Sequence, residues 1–183
     1  MAGSAPGRAS RPKQPKSCHE RALGLLAVRA RSRRELERRL LQAGFETSEV
    51  DDVLGRLERV GLIDDAAFAR QVAEHAFGVK RAGRRAVVSS LIAAGVAPDV
   101  IEDAVDQAVE GEDDRAEALA ASRAAHLASV EPAKAFARLT SLLVRRGYSP
   151  EVARGAARRA LSVDRTDESR EDRPNLASRL ARP

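Results

Sequence analysis

The chain has 183 residues, 43% of them apolar, but only four Phe, one Tyr and no Trp, so its core must be built mainly from Ala, Leu and Val. A single cysteine, Cys18, excludes an internal disulfide framework, and no Cys/His cluster has zinc-ligand spacing, so neither a metal nor another cofactor is expected. The net charge of +5 favours an acidic partner, but only four of the 32 basic residues are lysines. An arginine excess of this kind also accompanies an alanine-rich composition, so the placement of charge has to identify the partner rather than its amount.

From the N-terminus, residues 1–16 carry Arg8, Arg11, Lys13 and Lys16 among prolines, with no acid, and read as a basic tail without fixed structure. Helices are then expected at 18–30, 32–43, 48–60, 65–78, 83–94, 98–109, 112–128, 132–146 and 150–162. Cys18 is expected as a half-buried residue of the first. Ser32 followed by Glu35 reads as a capping box, and Val50, Val53, Leu54 and Leu57 form one apolar stripe on the third helix. Asp64 precedes Ala-Ala-Phe where an N-cap belongs, and Pro98 and Pro150 suit first-turn positions. Phe136, Leu139 and Leu143 repeat the stripe on the eighth helix. From Asp164 onward acids and arginines balance and large apolar residues are few, so 163–183 reads as a second tail without fixed structure. No apolar run approaches the ~20 residues that span a bilayer, and the N-terminus has no signal-peptide core, so no membrane is expected and the cytoplasm is the expected location.

The helices carry an internal repeat. Gly44, Gly95 and Gly147 lie 51 and 52 residues apart, and each is preceded at four residues by Leu40, Leu91 or Leu143 and at eight by Leu36, Val87 or Leu139. Each is followed by a bulky apolar residue, Phe45, Val96 or Tyr148. A period near fifty residues indicates an all-α protein of three tandem three-helix modules, at 17–61, 62–110 and 111–162. Modules that touch only their neighbours stack into an elongated, curved array.

Catalytic patterns are missing: the chain has no phosphate-binding glycine loop, nucleophile elbow or metalloprotease motif, and His19, His75 and His126 lie far apart without paired ligands. Charge is segregated instead. Between Arg29 and Arg39 six arginines face two acids, Lys80, Arg81, Arg84 and Arg85 form a run without an acid, and Arg145 and Arg146 precede the third glycine turn. Arg31, Arg33, Arg34, Arg38, Lys80, Arg81, Arg84, Arg85, Arg145 and Arg146 are therefore the candidate contacts to a polyanion or acidic protein, recurring near each module's second helix. From Asp99 to Glu117 nine acids face one arginine, a block that would repel a phosphate backbone. Aromatic residues sit at core-like positions, so stacking on unpaired bases is not expected.

Ala22-Leu23-Gly24-Leu25-Leu26, Ser32-Arg33-Arg34-Glu35-Leu36, Leu40, Gly44-Phe45, Val50, Leu54, Leu57 and Gly61-Leu62-Ile63-Asp64-Asp65-Ala66-Ala67-Phe68-Ala69 together closely resemble the RecX family of bacterial recombinase regulators. The resemblance continues through Lys80, Arg84, Leu91, Gly95-Val96 and Ile101 and spans roughly 18–162. It departs from the family at Gln71-Val72, where relatives often carry an aromatic residue, and at Lys80-Arg81-Ala82-Gly83, where their turn is richer in glycine. The resemblance implies a non-enzymatic monomer that binds the RecA recombinase and its filament on single-stranded DNA. In that role it limits filament extension, ATP hydrolysis and strand exchange in DNA repair, recombination and the SOS response. A competing reading is a direct DNA-binding protein whose three-helix modules act as helix-turn-helix readers.

Overall fold

The computed structural model describes residues 16–108 and 111–171. All regular structure among them is helical: α1 (Cys18–Leu26), α2 (Arg33–Gln42), α3 (Thr47–Arg59), α4 (Asp65–Gly78), α5 (Arg84–Ala94), α6 (Pro98–Ala108), α7 (Glu112–Ala124), α8 (Pro132–Arg145) and α9 (Pro150–Glu171). The chain divides into one unit up to Ile63, holding α1 to α3, and another from Asp64, holding α4 to α9.

Three boundaries differ from those expected. Helix α1 stops at Leu26 rather than 30, because Arg31 folds back and its Nε donates to the Leu25 carbonyl (3.1 Å), satisfying an end-of-helix acceptor and directing the chain toward Ser32. Helix α7 ends at Ala124 and tightens into a 3-10 turn over Ala125–Leu127. Helix α9 runs to Glu171, nine residues past the expected 162, since neither Gly nor Pro interrupts 163–171; those residues, expected in the tail, have helical backbone. The remainder of both expected tails, 1–15 and 172–183, lies outside the described residues.

The caps follow the sequence, except that the capping box expected at Ser32 is represented by its hydroxyl half, the Glu35 carboxylate being bonded to arginines. The Ser32 hydroxyl accepts from the Glu35 N–H (3.1 Å) and Asp64 Oδ1 from the Ala67 N–H (2.8 Å), while Gly44, Gly61, Gly95 and Gly147 all adopt positive φ. One full capping box was not foreseen: Ser17 accepts from the Glu20 N–H (3.2 Å) and the Glu20 carboxylate accepts from the Ser17 N–H (2.9 Å). Those bonds lower the Glu20 carboxyl below its ordinary range.

Each three-helix set closes its own apolar cluster. Cys18, Ala22, Leu36, Leu40, Val50, Val53, Leu54, Leu57 and Ile63 form the first; Cys18 is fully buried rather than half-buried. Phe68, Ala69, Ala73, Phe77, Val87, Leu91, Val96, Ile101, Ala104 and Val105 form the second. The third is dominated by alanine: Ala116, Ala120 and Ala124 on α7 belong to the same cluster as Ala153, Ala156, Ala157 and Ala160 on α9, with Leu119, Leu139, Leu143 and Tyr148 filling the remainder. Small side chains at helical spacing let two helix backbones approach closely, so the scarcity of aromatics is compensated by close packing. Leu40, Leu91 and Leu143, the residues four before each repeat glycine, are all completely buried.

Within the second unit, two modules are joined through backbone rather than through side-chain packing alone. The Gly83 N–H donates to the Arg146 carbonyl (2.9 Å) and the Arg85 N–H to the Gly147 carbonyl (3.0 Å). The Arg84 N–H donates to Glu112 Oε1 (2.9 Å), and the Tyr148 hydroxyl to the Arg81 carbonyl (2.9 Å). Helix α5 begins at Gly83 without a side-chain cap of its own, so its first free N–H groups are satisfied by the neighbouring module. The approach is possible only because both residues lack a side chain. A Cβ on Gly83 would fall on the Gly147–Tyr148 peptide, and one on Gly147 would fall on Ala86.

Replacement of Leu40, Leu91 or Leu143 by alanine is expected to cost about 2–5 kcal/mol each in denaturant melts. Gly44 and Gly147 share a φ of +91°, but a Cβ on Gly44 meets nothing within 4 Å. Gly44→Ala is therefore expected to cost only left-handed strain, about 1–2 kcal/mol, whereas Gly147→Ala adds about 1–3 kcal/mol of overpacking. Hydrogen exchange resolved by residue would place the second loss in α5 and α8; equal losses at the two glycines would contradict the tight contact.

Candidate functional site

The arginines of the first unit divide by what they touch. Arg31 is only 7% exposed, and its guanidinium is bonded to Glu35, itself buried at the start of α2. Arg29 Nη2 (2.5 Å) and Arg39 Nε (3.2 Å) reach the same Glu35 Oε1. Because Arg31 also holds the Leu25 carbonyl, this cluster fastens the end of α1 to the first turn of α2. Burial by itself would raise the Glu35 carboxyl, but the surrounding arginines overcome it and hold the group below the ordinary carboxylate range. Arg31, expected among the partner contacts, is thus committed to the fold.

Arg33 is held on α3 by Glu58 (2.9 Å) and, more distantly, Asp51 (3.6 Å), while exposed Arg34 pairs with Glu37 one turn along (2.7 Å). Arg38 is exposed on α2 with no ion pair to a described residue. Of the candidates in this unit, Arg34 and Arg38 present charge to solvent, and Arg38 does so without a paired acid.

In the second unit the structure brings Lys80, Arg81, Arg84, Arg85, Arg145 and Arg146 to one place, the backbone junction between modules. Two of them are engaged within the fold: Arg146 Nη1 donates to the Lys80 carbonyl across the junction (3.0 Å), and Arg84 Nη1 pairs with Asp106 on α6 of its own module (2.5 Å). Lys80, Arg81, Arg85 and Arg145 are exposed, and none forms an ion pair with a described residue. Arg81 is the one non-glycine with positive φ among the described residues, at +48°; its carbonyl is held by the Tyr148 hydroxyl, which orients the turn. Tyr148 is completely buried, and burial pushes its phenol above the ordinary range, with Arg115 opposing and Glu112 reinforcing.

The acidic block from Asp99 to Glu117 does not simply oppose this cluster. Asp106 pairs with the Arg84 guanidinium, Glu112 accepts from the Arg84 backbone N–H, and Glu117 pairs with Arg159 on α9 (2.6 Å), so part of the block is taken up inside the fold. Sequence spacing could not reveal those pairings, since they join residues 22, 28 and 42 positions apart in different helices. Among the described residues no group of three His, Cys, Asp or Glu is placed to hold a metal, and no helix is long and apolar enough to cross a membrane. None of the five aromatic side chains is exposed: Phe68, Phe77 and Tyr148 are buried and Phe45 and Phe136 half-buried.

Comparison with known proteins places this geometry in context. The family description "RecX, first three-helix domain" matches residues 18–57, and "RecX, second three-helix domain" matches 64–105. The regulatory protein RecX of Mycobacterium sp. (strain JLS) is 36% identical over 157 residues, covering 82% of this chain and 85% of the relative. That of Streptomyces coelicolor is 32% identical over 165 residues, covering 87% and 88%. The crystal structure of RecX from Lactobacillus salivarius has a TM-score of 0.69 at 17% identity, over 78% of this chain and 94% of that one. A second crystal structure of regulatory protein RecX has a TM-score of 0.68 at 21% identity, over 74% and 68%. At such identities the likeness speaks to the fold.

Glu35→Gln is expected to destabilise the first unit by about 3–5 kcal/mol, because it leaves a buried guanidinium without its counter-charge. The folded carboxyl lies below its unfolded value of about 4.3, so its contribution is full above that pH and is lost as pH falls through the folded value. Urea melts between pH 6 and 2.5 should show this acid loss in the wild type and a flatter profile in Glu35→Gln; parallel profiles would remove Glu35 from that role.

Proposed function

Because the chain belongs to the RecX family of regulatory proteins, we propose that it modulates the RecA recombinase without catalysing a reaction of its own. It binds RecA and the RecA filament on single-stranded DNA in the cytoplasm, and so limits filament extension, ATP hydrolysis and strand exchange during repair and recombination. The observation that carries the mechanism is the gathering of Lys80, Arg81, Arg85 and Arg145, exposed and without paired acids, at a junction stiffened by backbone bonds. A cluster of exposed cations that form no ion pair with a described residue attracts an acidic filament surface or the DNA within it. The lack of an exposed aromatic side chain supports this reading over a reader of unpaired bases.

The test is a titration of RecA ATPase on single-stranded DNA with the wild type and with a variant carrying Lys80→Glu, Arg81→Glu, Arg85→Glu and Arg145→Glu. The variant should inhibit roughly tenfold less well or worse, while its helical spectrum and melting midpoint stay close to wild type, since exposed charges contribute little to folding. Wild-type inhibition should also weaken as salt rises, because attraction of this kind is screened over ~8 Å at physiological ionic strength. Equal potency at low and high salt would dismiss the cluster, and absence of wild-type inhibition would dismiss the function. Arg84→Glu is expected to behave differently, lowering stability through loss of its Asp106 pair.

A further inference from the structure

The first unit carries a second surface that the basic candidates do not include. Helices α1 and α3 and the turn after α3 enclose an open cleft of about 430 Å³, within the range of pockets that seat a ligand group. Its floor is Leu57, and its apolar wall is made of Leu23, Val60 and Leu62, which are 38%, 68% and 52% exposed. These are three of the large apolar side chains that the described residues leave in solvent, brought together rather than scattered. The rim is cationic. Arg56 and Arg59, one turn apart on α3, line the cleft with His19, and no acid does. Neither arginine forms an ion pair with a described residue; Arg56 Nε donates only to the Asp52 carbonyl (3.2 Å). Arg33, which also faces α3, is by contrast matched with Glu58.

We propose that this cleft is a protein-docking site that receives a bulky apolar side chain flanked by carboxylates on the partner's surface. The inference rests on the functional reading above and assigns the first unit its own contact with RecA. An aliphatic wall suits a buried apolar anchor, and two unpaired guanidiniums at the rim suit carboxylates on either side of it. Nucleic acid fits poorly, since three exposed aliphatic side chains would face a phosphate backbone. The chain's own residues 1–15 fit poorly too, because Arg8, Arg11 and Lys13 would meet the same cationic rim.

The experiment measures the affinity of the full chain for RecA, with and without single-stranded DNA, for the wild type and three variants. Leu62→Glu places a charge in the apolar wall, Leu62→Met preserves it, and Arg56→Glu with Arg59→Glu reverses the rim. All these side chains are exposed, so circular dichroism should remain unchanged. Leu62→Glu and the rim variant are each expected to weaken RecA binding roughly tenfold or more, with Leu62→Met within about twofold of wild type. Wild-type affinity in Leu62→Glu and in the rim variant would overturn the cleft while leaving the functional reading intact. Failure of the wild type to bind RecA would overturn both. An equal loss of binding to naked single-stranded DNA in Leu62→Glu would make the occupant a nucleic acid, and conversion of a wild-type dimer to monomer in sedimentation would make it a second copy; either result overturns the proposal.

Discussion

The second unit depends on two glycines meeting backbone to backbone. Gly83 and Gly147 come from different modules, and the space between them admits no Cβ on either side. That approach lets the N–H groups of Gly83 and Arg85 reach the carbonyls of Arg146 and Gly147, so helix α5 is capped by the module beyond it. A helix end left without acceptors is costly, and this one has no side-chain cap of its own. The junction therefore determines two things together, the start of α5 and the setting of its cationic residues. Lys80, Arg81 and Arg85 occupy a turn whose backbone is bonded to Arg146, Gly147 and Tyr148, which limits how far they can move apart.

The three modules share a plan and differ in how each begins its second helix. Ser32 caps α2 with its own hydroxyl, Glu131 caps α8 with its carboxylate, and α5 borrows its cap. The difference has a consequence for stability. The first and third second-helices carry their N-terminal bonds with them, whereas α5 keeps its bonds only while the third module stays docked. Local opening of the second unit should accordingly begin at this junction rather than within either core.

Arginine in this chain plays several physical roles that composition cannot separate. Arg31 is a buried counter-ion and a helix-end donor, Arg84 an inter-helix partner, and Arg146 a donor to a backbone carbonyl. Lys80, Arg81, Arg85 and Arg145, with Arg38 in the first unit, are exposed and form no ion pair with a described residue. A planar guanidinium with several fixed donors can satisfy carbonyls and carboxylates inside a fold, so an arginine-rich sequence overstates the surface available for a partner. The cleft between α1 and α3 shows the converse: Arg56 and Arg59 lie in a run of mixed charge, and only their position beside exposed aliphatics distinguishes them.

The helical class, the three-fold repeat, the buried leucines before each glycine and most helix ends were legible in the residue order. They follow from local rules: helical spacing of apolar side chains, preferred capping residues and the tolerance of glycine for left-handed backbone. The same order carried the family resemblance. Which cations remain free was not legible, because Arg84 finds Asp106, and Arg33 finds Glu58, only through folding that brings separate helices together. Nor could spacing distinguish Gly83 and Gly147 from the other turn glycines. Local conformation requires a positive φ at Gly147 as it does at Gly44, but only the packing of one module on another removes the room for a side chain, and that depends on distances set by the whole unit.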